Sequence, residues 1–423
     1  MPIPSSPVVS QAVLLALFLV TAAAVTSRPW RIPVGWWPLG AVAVALLIGA
    51  MPAVTAAHGL GSSLDVVAFF AGLLLLAWAL RVTGSLGQLL DRLEGWSRGE
   101  PRRLLVMVAV ATVAVTALLS NDAAALLLAP EIFDRLERRR LCLTPFVLTM
   151  AFTANAASAL LPISNPVNLL ILDRSDIALS TYLTAVTPAA VVGVLITVGG
   201  CLLLTGRGPF PGSLASAVSP LPPALDRPRT VGVTWLLGLL VVIDVGFAAA
   251  RLPLGPPTLA AGTLSVALVW TAGGSREIPR GLGWSILALV AGFSVLASGL
   301  AHSGWLASVS GQLARGGLSW SAGFFIGAVT AVISGLINNL PAALLVTAGL
   351  QAAHHVGSLA LAAIVGADLG PNLAPFGSIS TILILAAARR RDQPVPWSRV
   401  WQLGLIVGPL ALLPTLSLVA LAR

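Results

Sequence analysis

Two long apolar runs, one in each half of the chain, carry polar inserts in their middle. The first holds Ser120-Asn121-Asp122-Ala123-Ala124-Ala125, the second Ile337-Asn338-Asn339-Leu340-Pro341-Ala342. Hydrocarbon offers no water to an amide or a carboxylate, so such residues persist at that depth only where they line a cavity or bind something. Interruptions in corresponding positions of two halves point to the binding site of a secondary transporter.

The rest of the chain suits a bilayer. Of its 423 residues, 57% are hydrophobic and 9% charged, with a mean hydropathy of +0.95; a soluble domain carries about 25% charged residues. The apolar runs are continuous rather than alternating, which excludes a β-barrel. The net charge of +9 comes from 24 basic residues, all arginine. They sit in short loops between runs, as the positive-inside rule places them, and do not form a nucleic-acid surface. Cys142 and Cys201 lie at segment edges and suggest neither a disulfide framework nor a metal site. The run from Val8 to Val25 has no basic stretch before it and reads as a first membrane helix, not a cleaved signal. Neither a His-Glu-x-x-His pattern nor a Gly-x-Ser-x-Gly elbow is present, so the expectation is a transporter without catalytic residues, metal ligands or cofactor.

Apolar spans read at 8–26, 36–56, 64–83, 143–172, 178–205, 231–251, 256–274, 283–302, 356–388 and 399–421, with the insert-bearing runs at 104–131 and 318–349. Arg92, Arg98, Arg102 and Arg103 precede the first insert-bearing run, and Arg135, Arg138, Arg139 and Arg140 follow it. Both clusters should be cytoplasmic, and a single crossing cannot join them. The run is therefore expected to enter and return as a re-entrant hairpin, with Ser120-Asn121-Asp122 near its tip. Arg207, Arg227 and Arg229, then Arg276 and Arg280, then Arg389 to Arg391, fall on the same side, which places 318–349 as an inverted hairpin from outside and both termini outside. The domains are an N-terminal half, 1–205, a cytoplasmic linker, 206–230, and a C-terminal half, 231–423.

Three matches indicate a duplicated unit. Gly72 and Gly84 lie 220 positions before Gly292 and Gly304. The two hairpin inserts match next. The stretch from Leu161 to Leu170 (Leu-Pro-Ile-Ser-Asn-Pro-Val-Asn-Leu-Leu) matches that from Ala374 to Leu383, 213 positions later, and Asn155 then aligns with Asp368. Proline, glycine and serine break these last runs into half-helices, whose free backbone groups and dipoles face the midplane. The expected fold is an all-α polytopic membrane protein with two inverted repeats, about ten transmembrane helices, two re-entrant hairpins and two broken helices.

The candidate substrate-binding residues follow from these interruptions: Ser120, Asn121, Asp122, Asn155, Ser164, Asn165, Asn168, Asn338, Asn339, Asp368, Asn372 and Ser378. Thr381 belongs to the same break. Several of these polar groups could instead serve the broken backbone itself. Asp122 and Asp368 are also the candidate proton-coupling acids, because intramembrane acids mark ion or proton pathways. Asp65 and Asp244 lie near spans at shallower depth, with Asp244 the next candidate for a proton path. His58, His302, His354 and His355 fall at loop ends and read as interfacial.

At these residues the chain resembles the arsenical pump membrane protein family, the arsenite efflux permeases of the ion transporter superfamily. The resemblance rests on Ser120 to Leu126 with Pro130, on Ser164-Asn165-Pro166-Val167-Asn168, on Gly335 to Pro341, and above all on Gly366-Ala367-Asp368-Leu369-Gly370-Pro371-Asn372-Leu373-Ala374-Pro375-Phe376-Gly377-Ser378. It implies a multi-pass protein of the bacterial inner membrane that exports arsenite or antimonite. The driving force it implies is the proton gradient or a separate cytoplasmic arsenite-stimulated ATPase, and the motion an elevator. The chain departs from the family in lacking lysine and in a short central loop, which gives no basis for an ATPase-docking surface. Arsenite in neutral water is mainly an uncharged trihydroxide, suited to amides, hydroxyls and a carboxylate, while soft thiolates are the other ligand class for it. Both cysteines lie away from the inserts. The alternative is a sodium/proton antiporter or sodium-coupled small-anion carrier on the same scaffold.

Overall fold

The computed structural model describes residues 7–27, 32–205, 227–250, 252–271, 284–302, 319–352, 357–375 and 377–422. Linker residues 206–226, together with Arg207, Gly304, Arg276, Arg280, His354, His355 and Phe376, lie outside the described residues. All regular structure among the described residues is helical.

The first half begins with α1 (Pro7–Ser27), α2 (Trp36–Leu47), α3 (Ala53–Gly61) and α4 (Leu64–Val82). The expected span 36–56 is thus two helices rather than one. Gly49 takes a left-handed φ of 72°, and Pro52 starts the next helix in an extended conformation, so the ladder cannot run through. Next comes α5 (Ser85–Ser97), an amphipathic helix that hydropathy alone does not reveal. Gly84 precedes it with a φ of 74°.

Hairpin one consists of α6 (Pro101–Leu118), a break at Ser120, α7 (Asn121–Ala123), a π-helical turn (Ala124–Leu128) and α8 (Ala129–Arg138). Pro130 has no N–H to return to residue 126, which accounts for the widened turn. The arms run back on one another: Leu104 and Val108 of α6 border the same small void as Ile132, Arg135 and Leu136 of α8. At that end Arg135 meets Asp91 at 2.5 Å and Arg139 meets Glu94 at 2.6 Å, tying α8 to α5. Both flanks of the hairpin therefore share one end of the molecule, as the arginine clusters require. The first broken helix is α9 (Thr144–Ala157), a 3-10 turn (Pro162–Ser164) and α10 (Pro166–Ser175), and α11 (Leu179–Thr205) closes the half.

The second half repeats this order: α12 (Arg227–Ala249), α13 (Gly255–Thr271), α14 (Ser285–His302), then hairpin two from α15 (Trp320–Ile337) and α16 (Asn339–Ala352). Its broken helix is α17 (Gly357–Leu369), a 3-10 turn (Gly370–Leu373) and α18 (Ile379–Arg389), and α19 (Trp397–Leu421) ends it. Six of all these helices are long and apolar enough to cross a membrane by length and composition, among them α4, α11, α14 and α19; shorter apolar helices and the half-helices accompany them.

The two repeats exchange partners. α13 packs along α4, whereas α2 and α3 pack along α14. The aligned glycines explain both contacts. A Cβ on Gly72 would lie 2.2 Å from the Thr258 carbonyl oxygen of α13, and one on Gly292 would lie 2.7 Å from Pro38 Cβ of α2. In the centre α10 packs on α16, and α18 packs on the π turn and α8, so each return arm meets the second half-helix of the other repeat.

Candidate functional site

Both hairpin arms stop where the backbone leaves helical geometry. Ser120 is extended, and its Oγ accepts from Ala123 N at 3.0 Å to start the return arm. Asn338 takes φ 86° and ψ 149°. Its Oδ1 and that of Asn339 accept from Leu340 N at 3.4 and 2.9 Å. Ser120 and Asn338 thus hold equivalent places, so Asn121 corresponds to Asn339 and Asp122 to Leu340. In the broken helices, Asn165 caps α10 by accepting from Val167 N at 3.2 Å, with Pro166 at the first helical position. Ser378 precedes α18, and its Oγ lies 2.6 Å from Ser380 Oγ.

These breaks converge. One cavity of about 20 Å³ is lined by Asp122, Asn165, Pro166, Val167, Asn338, Asn339, Leu340 and Ile379, with an apolar wall of Ile286, Leu289 and Val290 from α14. That volume holds about one water molecule. The helices beginning at Asn121, Pro166, Asn339 and Ile379 all start at or beside this space, so the positive ends of their dipoles converge on it. The main chain links the two breaks of the second repeat, with Asn339 N donating to Gly377 O at 2.9 Å. Among the described residues no arginine, histidine or cysteine lines the cavity, and no group of three His, Cys, Asp or Glu could hold a metal ion.

The sequence candidates separate into three groups. Asp122, Asn165, Asn338 and Asn339 line the cavity, and Asp368 stands behind it, accepting from Asn165 Nδ2 at 2.6 Å. Asn155, Asn372, Ser378 and Thr381 form a cross-brace between the broken helices. In it Asn155 Nδ2 donates to Asn372 Oδ1 at 3.0 Å and to Thr381 Oγ1 at 2.9 Å, and Asn372 Nδ2 donates to Phe152 O at 3.0 Å. The third group holds the fold locally. Ser120 caps its helix, Ser164 Oγ donates to Ala117 O at 3.1 Å, and Asn168 Nδ2 donates to Ser158 O at 2.8 Å. Asn121 is buried beside the tip, and its Oδ1 has no donor among the described residues.

Sequence reasoning did not single out Ser158, Tyr182, Ser334 or Ser380. Tyr182 of α11 donates to Ala159 O at 2.7 Å, and Ser334 Oγ donates to Ala367 O at 2.9 Å. No motif marks them, since each is one polar residue in an apolar helix. The apolar wall from α14 carries no local signal either. Asp65 and Asp244 lie elsewhere: Asp65 accepts from Leu254 N and Gly255 N at the start of α13, and Asp244 accepts from Thr258 Oγ1 at 3.2 Å.

Comparison with known proteins matches this architecture. The family model described as citrate transporter matches residues 12–367. An arsenical pump membrane protein of Escherichia coli is 26% identical over 96% of this chain and 97% of its own length. The one from Yersinia enterocolitica is 27% identical over the same shares. An uncharacterised transporter of Mycobacterium tuberculosis is 26% identical over 87% of this chain and 88% of its own. Among solved structures, the Alcanivorax borkumensis YdaH transporter superposes with a TM-score of 0.57 at 18% identity, covering 87% of each chain.

Proposed function

This chain belongs to the citrate transporter family, and from that premise we propose that it exports arsenite, and antimonite, from the bacterial cytoplasm across the inner membrane by proton antiport. The observation that carries the reading is the lining of the central cavity: a carboxyl group and three amides at the starts of converging helices, with no cationic side chain and no thiol among the described residues. A tricarboxylate would bring several negative charges beside Asp122 without a basic partner, at a cost that low dielectric magnifies. A neutral trihydroxide offers three O–H donors to Asp122 and the amide carbonyls, and an oxygen acceptor to the Asn338 amide N–H groups. Oxygen and nitrogen ligands also allow release, which tight thiolate capture would slow. The full-length similarity to arsenical pump membrane proteins supports the same substrate.

Asp122 and Asp368 supply the carboxyl groups for exchanging a proton against substrate. An elevator motion suits the layout: the α4–α13 and α14–α2/α3 pairs form a frame, and the hairpins and broken helices form a unit that faces the α14 wall. The test is arsenite uptake into everted vesicles with the pH gradient and the sodium gradient imposed separately. Uptake driven by the pH gradient alone supports the reading. Uptake driven by sodium alone supports the sodium-coupled alternative, and uptake that needs ATP with no gradient points to a separate ATPase subunit. No arsenite movement under any condition would overturn the proposed substrate.

A further inference from the structure

The two repeats put unlike side chains at equivalent places in their broken helices: Asn155 in α9 and Asp368 in α17. Each reaches across to the second half-helix of the other repeat. There Asn155 is fully engaged. Its Nδ2 donates to Asn372 and Thr381, and its Oδ1 accepts from Ser380 Oγ at 3.2 Å, so both N–H groups and the carbonyl are occupied. Asn155 does not line the cavity.

Asp368 is the opposite case. Its Oδ1 accepts from Asn165 Nδ2, while Oδ2 is buried with no donor in hydrogen-bond geometry among the described residues. The amides of Asn165 and Asn168 and the hydroxyl of Ser158 surround this carboxyl group. Asn168 Oδ1 is likewise buried without a donor among the described residues, while both Asn168 N–H groups go to Ser158 O and Tyr182 Oη. Two buried acceptors without a donor among the described residues are costly, and a proton on Asp368 Oδ2 supplies a donor there. Tyr182 is the titratable side chain facing Asp368 from the packed helices among the described side chains, and its hydroxyl is engaged with Ala159 O. Asp122 lies across Asn165, on the cavity.

We propose that the two acids divide the work: Asp368 carries the exchanged proton without touching substrate, Asp122 meets substrate in the cavity, and Asn165 is the positioning residue linking them. The proposal rests on the proton-exchange reading above. An ionised Asp368 holds Asn165 Nδ2 in a charge-assisted bond and fixes the amide at the cavity wall. Protonation removes that charge, loosens the amide and weakens the substrate site. Substrate therefore favours the ionised acid and expels its proton, and by linkage the proton expels substrate, which is antiport. The proton leaves Oδ2 for water on whichever side the unit is open.

The test uses the full chain reconstituted in proteoliposomes, with arsenite exchange at equal internal and external pH and arsenite accumulation driven by a pH gradient. D368N, neutral at every pH, is expected to hold the KM for arsenite at the raised value that wild type shows at low pH, to flatten the pH profile of exchange and to abolish accumulation. D122N is expected to raise that KM by at least about tenfold, the size of a lost hydrogen bond to a charged group. D368E, which still titrates, restores accumulation. N165S cuts the link from the other partner and flattens the same pH profile, so it gives the answer should D368N not insert. A KM that still falls with rising pH in D368N, or that no longer varies with pH in D122N, overturns the division of roles, as does an intact pH profile in N165S. A wild-type protein that exchanges no arsenite overturns the functional reading and this one together, whereas wild-type exchange with undivided roles overturns this one alone.

Discussion

Asn338 holds a backbone conformation, φ 86° and ψ 149°, that glycine adopts freely and an L-residue rarely does. Such strain costs on the order of 1–3 kcal/mol and persists where the side chain has a use. Here the side chain lines the cavity with Nδ2 unpaired among the described residues. Asn338→Gly is expected to raise the unfolding temperature of the purified protein while lowering arsenite transport by about tenfold or more, the size of a lost buried polar contact. A variant as active as wild type would remove Asn338 from the site. The thiols give the converse expectation. Cys201 is buried in α11 and Cys142 lies between α8 and α9, both away from the cavity lining. Replacing both with serine should leave arsenite resistance intact in a sensitive host, and lost transport with normal insertion would restore thiolate ligation. Asp122, Asn165, Asn338 and Asn339 were legible in the sequence because each stands out against an apolar run. The engagement of Asn155 was not legible, since its partners Asn372 and Thr381 lie more than two hundred positions away and only the fold decides which amide is saturated.

Hairpins follow from charge more readily than from hydropathy. A run such as 101–138 is long enough to cross, and only the arginines on both flanks argue that it returns. The structure brings those flanks together through Arg135, Arg139, Asp91 and Glu94, and Arg391 after α18 joins Asp134 of the same arm. Introduced cysteines at Glu100 and Glu137, in the Cys142→Ser/Cys201→Ser background, should both react with an impermeant maleimide from the cytoplasmic side. Labelling from opposite sides would break the hairpin. Glu137 is half-exposed and only 3.8 Å from Arg391, so its loss should cost less than about 1 kcal/mol and leave insertion intact. The elements that hydropathy misses have a common cause. α5 carries Gln88, Asp91, Arg92 and Glu94 among its leucines, so no apolar window finds it. The division of 36–56 into α2 and α3 depends on the backbone at Gly49 and Pro52, which an averaged hydropathy smooths over.

At the scale of the molecule, the repeat in the sequence gives the order of elements but not their exchange. Gly72 and Gly292 align as glycines, yet that each admits a helix of the opposite kind, α13 on α4 and α2 on α14, appears only when the halves are assembled. The exchange means that neither half can complete its own frame. Alone, α4 would show lipid the close-packed face that α13 covers, and α14 would lose both α2 and α3. The polar breaks compound the problem. Asn155 would lose Asn372, Thr381 and Ser380, and Asp368 would lose Asn165, leaving buried polar groups unpaired at a cost of about 1–3 kcal/mol each. Splitting the chain between Thr205 and Arg227 therefore has a defined outcome. Either half expressed by itself should be degraded or remain aggregated in the membrane. The two halves expressed together should associate, co-purify and restore arsenite efflux, because each interface between them is formed by helices already present. If residues 1–205 alone yield a monodisperse, protease-resistant protein, the exchanged packing does not govern assembly and the repeats fold as independent units.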